Sequence, residues 1–342
     1  MKHSVLLGPL FAGTKLGLHV LYVLRDWYHK PDRITLEGNI PPVTKRMTLW
    51  KNAAPLASHR YEFGAAAVKN NIYVAGGIFQ PSVWLPTRLF ERYDTISDTW
   101  HTLPSVPHMV HHAGVTSDSE YVYVIGGDGW RIIPLGFAWV YDPTKNTWSR
   151  LPDLPTKRGA LGLAHVDGKL YAVGGAANAK KYATVECFDI KTKEWSPKSS
   201  MPTPREHLAV AVLSGEIHAL GGYNTDRFGS QRTHEVYNPK TDTWRQAAPL
   251  PIRLCGFSAE TVGNTLYVFG GEQGWAISPY VFAYDKKSDS WTRLPDLPEG
   301  RYASTAVRVA NRVFVMGGNT RMFSDDFSNH NDVFIPEDRQ IL

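Results

Sequence analysis

The chain has 342 residues, rich in glycine (29) and in aromatic residues (11 Trp, 16 Tyr and 14 Phe). Single β-domains rarely exceed ~250 residues unless they are built from repeats, so two domains or one large repeat domain are expected. Its net charge of +5 mildly favours anionic partners. No basic run stands out from the mixed surface, which argues against a nucleic-acid partner.

The first 45 residues are expected to be a hydrophobic segment followed by a polar tether. Ser4–Leu24 is mostly apolar and is long enough to cross a bilayer, which takes ~20 residues. Three interpretations stay open: a transmembrane or signal-anchor helix, an amphipathic or packed helix, and a cleaved signal peptide. More basic residues follow this segment than precede it. An inserted segment would therefore keep residues 46–342 in the cytoplasm, and a cytoplasmic location is favoured over a secreted or periplasmic one.

From residue 46 onward the sequence repeats. Gly-Gly pairs occur six times, at spacings of 50, 48, 47, 49 and 47 residues: Gly76-Gly77, Gly126-Gly127, Gly174-Gly175, Gly221-Gly222, Gly270-Gly271 and Gly317-Gly318. Each pair ends a short apolar run that contains a ring three residues before the first glycine, with His218 in that position of the fourth repeat. Short apolar runs of this kind, bounded by turn residues, indicate buried strands.

An aromatic residue and, seven residues later, a tryptophan follow five of the pairs. The couples are Tyr93/Trp100, Tyr141/Trp148, Phe188/Trp195, Tyr237/Trp244 and Tyr284/Trp291. The intervening residues have turn chemistry, so the couple predicts a hairpin between a third and a fourth strand. The sixth repeat lacks its tryptophan after the predicted strand at 333–335, whereas Trp50 precedes the first repeat. We therefore predict that an N-terminal strand completes the last sheet and closes the ring.

These repeated elements resemble the kelch repeat over residues 46–342. The resemblance implies an all-β fold, a six-bladed kelch-type β-propeller whose last blade is closed by the N-terminal strand. The propeller is expected to be monomeric. In a four-stranded meander, the loop entering the first strand and the loop leaving the second share one face, and this face surrounds the central channel.

An arginine column is predicted on that face. Arg60, Arg158, Arg205 and Arg301 each precede their Gly-Gly pair by 16 residues, and Arg253 precedes its pair by 17. One interpretation is a positive channel mouth for carboxylates or phosphates, which the forked guanidinium suits. The other is structural, with each guanidinium bound to backbone carbonyls. Arginines on this face contribute to peptide capture in kelch adaptors, so the resemblance supports both interpretations.

The loops that leave the second strands add aromatic and charged candidates. They are Trp84, Trp130, Arg131, Arg227, Glu272 and Trp275. Aromatic and arginine side chains on loops are typical of binding surfaces. The first hypothesis is therefore a non-catalytic module that binds a protein segment or an anionic small molecule or carbohydrate.

The alternative hypothesis is a carbohydrate-active enzyme, such as a sugar (sialic acid-like) epimerase or mutarotase. It would use Glu272 with Arg301 or Arg253, and it requires a buried acid of raised pKa in a deep channel. No nucleophile or phosphate-binding motif is present, which leans against an enzyme, and no cofactor is expected. His111 and His112 are adjacent and would point in opposite directions on a strand, so no metal site is expected. Cys187 and Cys255 are predicted to be small buried residues.

Overall fold

The computed structural model describes residues 40–43, 49–80, 85–224, 229–274, 276–322 and 327–336. These residues belong to one compact unit. Ser4–Leu24 lies outside the described residues, so the predictions made for that segment stay predictions. In the part of the chain that is described, no helix has the length and apolar character needed to cross a bilayer.

The first three blades are four-stranded antiparallel sheets. An initial strand, β1 (Leu49–Asn52), precedes them. Blade 1 runs through β2 (Gly64–Val68), β3 (Asn71–Ala75), a short ribbon of β4 (Ile78–Gln80) and β5 (Leu85–Pro86), then β6 (Phe90–Asp94) and β7 (Thr99–Thr102). Blade 2 contains β8 (Gly114–Ser117), β9 (Val122–Ile125), a 3-10 turn at Trp130–Ile132, β10 (Ala138–Asp142) and β11 (Thr147–Leu151). Blade 3 contains β12 (Gly162–Val166), β13 (Lys169–Val173), the ribbon β14 (Ala176–Ala177) and β15 (Lys180–Lys181), then β16 (Val185–Asp189) and β17 (Glu194–Lys198).

The last three blades repeat the same meander. Blade 4 contains β18 (Ala209–Leu213), β19 (Glu216–Leu220), β20 (His234–Asn238) and β21 (Thr243–Gln246). Blade 5 contains β22 (Ser258–Val262), β23 (Thr265–Phe269), the ribbon β24 (Glu272–Gln273) and β25 (Ala276–Ile277), then β26 (Val281–Asp285) and β27 (Ser290–Leu294). Blade 6 has β28 (Thr305–Val309), β29 (Arg312–Met316) and β30 (Asn331–Ile335), and its fourth strand is β1. The predicted six-bladed, all-β propeller is confirmed.

The aromatic couples hold each third strand to its fourth. Every predicted couple is a pair of facing residues, as Tyr93 faces Trp100 and Tyr237 faces Trp244. The tryptophan ring also ties its blade to the preceding loop, because Trp100 Nε1 donates to the carbonyl oxygen of Ala54 at 2.9 Å. In blade 6 the missing couple is restored across the chain ends, where Trp50 faces Phe334. The predicted closure by an N-terminal strand is therefore confirmed.

The Gly-Gly pairs end the second strands in a conformation that other residues avoid. All of these glycines have positive φ, as at Gly76 (66°) and Gly77 (99°). A Cβ on Gly76 would lie 2.3 Å from the carbonyl oxygen of Val110 in the loop entering the next blade. The pair therefore allows both the turn and the close packing of adjacent blades. His218 and both cysteines are buried, and the cysteines are free thiols, as predicted.

Six residues, which we call the axial ring, surround the channel at this face. They are Glu62, His112, Ala160, His207, Gly256 and Ala303, and all have φ between 50° and 57°. The backbone N–H of each donates to the carbonyl oxygen of the ring residue in the preceding blade, and Glu62 donates to Ala303. The hydrogen bonds thus form a closed circle that joins all six blades around the axis.

Candidate functional site at the channel mouth

The four arginines that share one repeat position lie inside the blades. Arg60, Arg158, Arg205 and Arg301 have no exposed surface. Each forms an ion pair with an acid on the third strand of its own blade: Arg60 with Glu91, Arg158 with Glu186, Arg205 with Glu235, and Arg301 with Asp332. Arg158 also donates to the backbone carbonyls of Gly174 and Ala172. This burial corrects the expectation of a solvent-facing positive mouth made by these four side chains, and their contacts match the structural interpretation.

Blades 2 and 5 replace both members of the ion pair together. The arginine position is taken by Val110 in blade 2 and Leu254 in blade 5. The acid position, opposite the second strand, is taken by Trp139 and Phe282. A buried charge without its partner costs several kcal/mol, and no blade shows an arginine or an acid alone at these positions. In blade 2 a small cavity lies next to the two replacing residues, Val110 and Trp139, and is also bounded by Val106, Leu135 and Phe137.

Among the other predicted site residues, Arg253, Trp130 and Arg131 are exposed on the channel-mouth face. Arg253 donates to the backbone carbonyl of Ser230 at 3.2 Å and keeps an exposed side chain. Glu272 is on the same face but is 5% exposed. Trp84, Arg227 and Trp275 lie outside the described residues, so their roles stay predictions.

Exposed apolar side chains are concentrated on one edge of the mouth. Among the large apolar residues described as exposed, all but Val43 and Ile96 lie in the channel-mouth loops of blades 1 and 2: Phe79, Leu85, Met109, Trp130, Ile132 and Ile133. We call these six residues the apolar edge. The Arg131 guanidinium lies 4.5 Å from the Trp130 ring centroid. Ile132 has φ of 57°, which is an outlier for a β-branched residue and a mark of local strain.

The centre of the mouth is polar. Glu62, His112 and His207 project from the axial ring, and His112 Nε2 lies 3.2 Å from Glu62 Oε2 and 3.0 Å from His207 Nε2. The Nε2 atom of His207 lies 3.9 Å from Glu62 Oε1. Burial lowers the pKa of His112 to about 4 and also lowers that of His207, while burial raises the pKa of Glu62. Both imidazoles are therefore neutral near pH 7.

A second acid lies beside this cluster. Asp128 forms a β-bridge with His111, and burial, with added repulsion from Glu206 and Glu62, raises the pKa of its carboxyl to about 7. A Cβ on Gly159 would lie 2.1 Å from Asp128 Oδ2. Gly159 thus leaves the space that the Asp128 side chain occupies.

Glu272 has the raised pKa that the enzyme hypothesis requires, but its surroundings differ from those expected. Burial raises its pKa to about 8, and its Oε1 accepts a hydrogen bond from Tyr223 Oη at 2.8 Å. The buried Cys255 Sγ lies 3.7 Å from the same oxygen. Arg301, one of its two proposed catalytic partners, is buried in its own ion pair with Asp332. The expectation that Glu272 acts together with Arg301 is therefore wrong, because Arg301 is paired with Asp332.

Sequence reasoning missed Glu62 and His207, although the repeat contained a signal for them. Both lie two residues after an arginine of the column, and His112 lies two residues after Val110. An alignment of the six repeats shows the whole axial ring at one position, two residues after the arginine position.

Comparison with known families assigns this architecture to a class. The KLHDC2/KLHL20/DRC7 Kelch-repeats domain matches residues 62–251, and the Kelch motif matches residues 253–298. The chain therefore belongs to the kelch-repeat family. Kelch-repeat propellers are typically protein-interaction modules, and the comparisons do not favour the carbohydrate-active enzyme.

The chain is similar to several Kelch-like proteins. Human Kelch-like protein 38 is 24% identical over 72% of this chain and 42% of its own length. Kelch-like protein 40 of Xenopus laevis is 30% identical over 42% of this chain and 24% of its own length. Kelch-like protein terF of Aspergillus terreus is 28% identical over 62% of this chain and 50% of its own length. The chain thus spans half or less of each of these relatives.

Proposed function

We propose that this propeller is a non-catalytic module that binds an extended protein segment across its channel mouth. The observation that carries the proposal is the apolar edge on blades 1 and 2. Exposed aromatic and aliphatic side chains of this kind supply the anchors of protein interfaces, and clusters of them are uncommon on a surface that stays in water. The kelch-repeat family supports protein as the class of partner.

The charges around the apolar edge suggest the chemistry of the partner. Arg131 stands within the edge, and Arg253 is exposed on blade 5, which lies opposite blade 2 in a ring of six. The other four arginines of the column form ion pairs inside the blades and have no exposed surface, so they add no direct contact. We therefore expect a segment with apolar anchors over blades 1 and 2 and carboxylates that reach Arg131 or Arg253.

Selection from a random displayed-peptide library on the full chain tests this proposal. We expect enriched peptides to combine aromatic or aliphatic residues with Asp or Glu. Trp130→Ala should weaken binding by at least about 10-fold, since interface anchors contribute about 2 kcal/mol or more. Arg131→Glu should weaken acidic peptides most.

Ile96→Ala is the matched control, because Ile96 is 76% exposed and lies in a hairpin between a third and a fourth strand on the opposite face. Its binding should equal that of the unchanged protein. Peptides that bind the Trp130 and Arg131 variants normally, or that are lost with Ile96→Ala, would show that this face is not the docking surface.

A further inference from the structure

Three side chains from three different blades meet at the channel axis. Glu62 belongs to blade 1, His112 to blade 2 and His207 to blade 4, so a large part of the chain separates them in sequence. Their ligand-type atoms all lie within 4.8 Å of one another. Their side chains are 15%, 9% and 23% exposed, respectively, so a small ion in the channel mouth can reach them.

The distances between these atoms match a metal coordination shell. Ligands held at 2.0–2.1 Å in a tetrahedral arrangement are separated by about 3.3 Å. The three separations here are 3.0 Å between the two Nε2 atoms, and 3.2 Å and 3.9 Å from these nitrogens to the Glu62 carboxylate. A single proton shared by the two imidazoles accounts for only one of these approaches.

A neighbouring side chain lies near the second nitrogen, Nδ1, of each ring. His112 Nδ1 contacts His111 Nδ1, and His207 Nδ1 lies 3.8 Å from Glu206 Oε2. A proton on each Nδ1 would leave both Nε2 lone pairs directed at the Glu62 carboxylate. Three acceptors then converge on one point, and metal-bound histidines commonly have an outer partner on their second nitrogen, as His112 has in His111. Glu206 is in turn 3.4 Å from Lys181 Nζ.

We infer that Glu62, His112 and His207 bind a divalent metal ion of the Zn²⁺ type at the centre of the channel mouth. Two imidazoles and one carboxylate suit zinc, and three protein ligands leave a fourth position for water or for a group on a bound partner. Because the ligands come from separate blades, the ion would also link blades 1, 2 and 4.

Titration of the metal-free full chain with Co²⁺ tests this site, because the visible bands of Co²⁺ report its coordination number. We expect one ion per chain with the strong absorption of four-coordinate Co²⁺, displaced by Zn²⁺. His207→Asn and Glu62→Gln should each weaken the affinity by at least about 10-fold. Asn is chosen for position 207 because it tolerates positive φ.

His101→Asn is the matched control, since His101 is exposed on β7 and is not among the clustered ligands; it should bind Co²⁺ like the unchanged chain. Circular dichroism confirms folding, and if His207→Asn does not fold, Glu62→Gln and His112→Asn provide the same comparison. The inference is overturned if the unchanged chain binds no stoichiometric Co²⁺, or if folded ligand variants bind it with unaltered affinity.

Discussion

Glu272 shows how position in the propeller sets the chemistry of a single side chain. It follows the Gly-Gly pair of blade 5, where the chain turns back across the channel mouth, and its carboxyl is almost fully buried. Tyr223 and Cys255 are the polar groups against it, and the charge of Glu62 adds repulsion. A nearby cation would lower the pKa of this carboxyl, but none is among the groups that shift it. The neutral form of Glu272 is therefore favoured.

A pH-dependent stability follows from this environment. The pKa of Glu272 rises from 4.5 to about 8 on folding, so between these values the folded state holds a proton that the unfolded state releases. Its contribution to the free energy of unfolding is complete below about pH 4.5 and is lost as the pH rises through about 8. Glu272→Gln cannot ionise and keeps an acceptor for Tyr223. We expect the variant to gain stability relative to the unchanged protein as the pH rises from 5 to 9, by on the order of 3 kcal/mol.

Urea denaturation of both proteins across this range, in metal-free buffer, measures the difference. Glu120→Gln, which replaces an exposed carboxyl, is measured in the same way as the control. A constant difference for Glu272→Gln would mean that the carboxyl ionises normally in the folded protein.

At the scale of the blade, the buried ion pair is an exchangeable element. In blade 4, Arg205 and Glu235 have no exposed side-chain surface and lie 2.7 Å apart, and Thr203 donates to Glu235. Blade 5 places Ile252, Leu254 and Phe282 at the same positions, all fully buried. The same architecture therefore accepts either a charged set or an apolar set, as long as the set is complete.

Transplanting the apolar set into blade 4 tests this equivalence. Arg205→Leu alone leaves Glu235 buried without its partner, and we expect a loss of about 3–5 kcal/mol in the free energy of unfolding. The triple variant Thr203→Ile, Arg205→Leu, Glu235→Phe should recover at least half of that loss, because well-packed apolar residues can replace a buried ion pair. Urea denaturation measures both. A triple variant no more stable than the sum of its single changes would contradict the equivalence.

The sequence revealed the repeat but not the environment of these arginines. The spacing to each Gly-Gly pair aligned them on one face, which is correct for the backbone. Their acidic partners lie 28 to 31 residues further along the chain, on a strand whose register only the folded sheet defines. The cluster of Glu62, His112 and His207 was not apparent for the same reason, since His112 and His207 are 95 residues apart in the sequence.

Closure of the whole ring was predictable because the sixth repeat is divided between two distant parts of the sequence, with three strands in β28, β29 and β30 and the fourth in β1. The sixth repeat ended without a tryptophan, and Trp50 supplied it. In the folded protein Trp50 lies 5.2 Å from the ring of Phe334 and 6.2 Å from that of Phe269, so β1 joins blade 6 and also packs toward blade 5. The axial ring of hydrogen bonds closes the same circle on the inside.

Removing β1 should therefore weaken every blade junction and not the last blade alone. A chain lacking residues 1–52 exposes the edge of β30, and unpaired edges promote association between molecules. We expect this chain to melt at a lower temperature and to self-associate, with faster amide hydrogen exchange at axial-ring residues of all six blades than in a chain lacking residues 1–39. A synthetic peptide covering residues 49–56 should restore protection, because it supplies the missing strand. If the shorter chain stays monomeric and its ring amides keep their protection in blades 2 to 4, the blades are stabilised independently and the ring does not act as one unit.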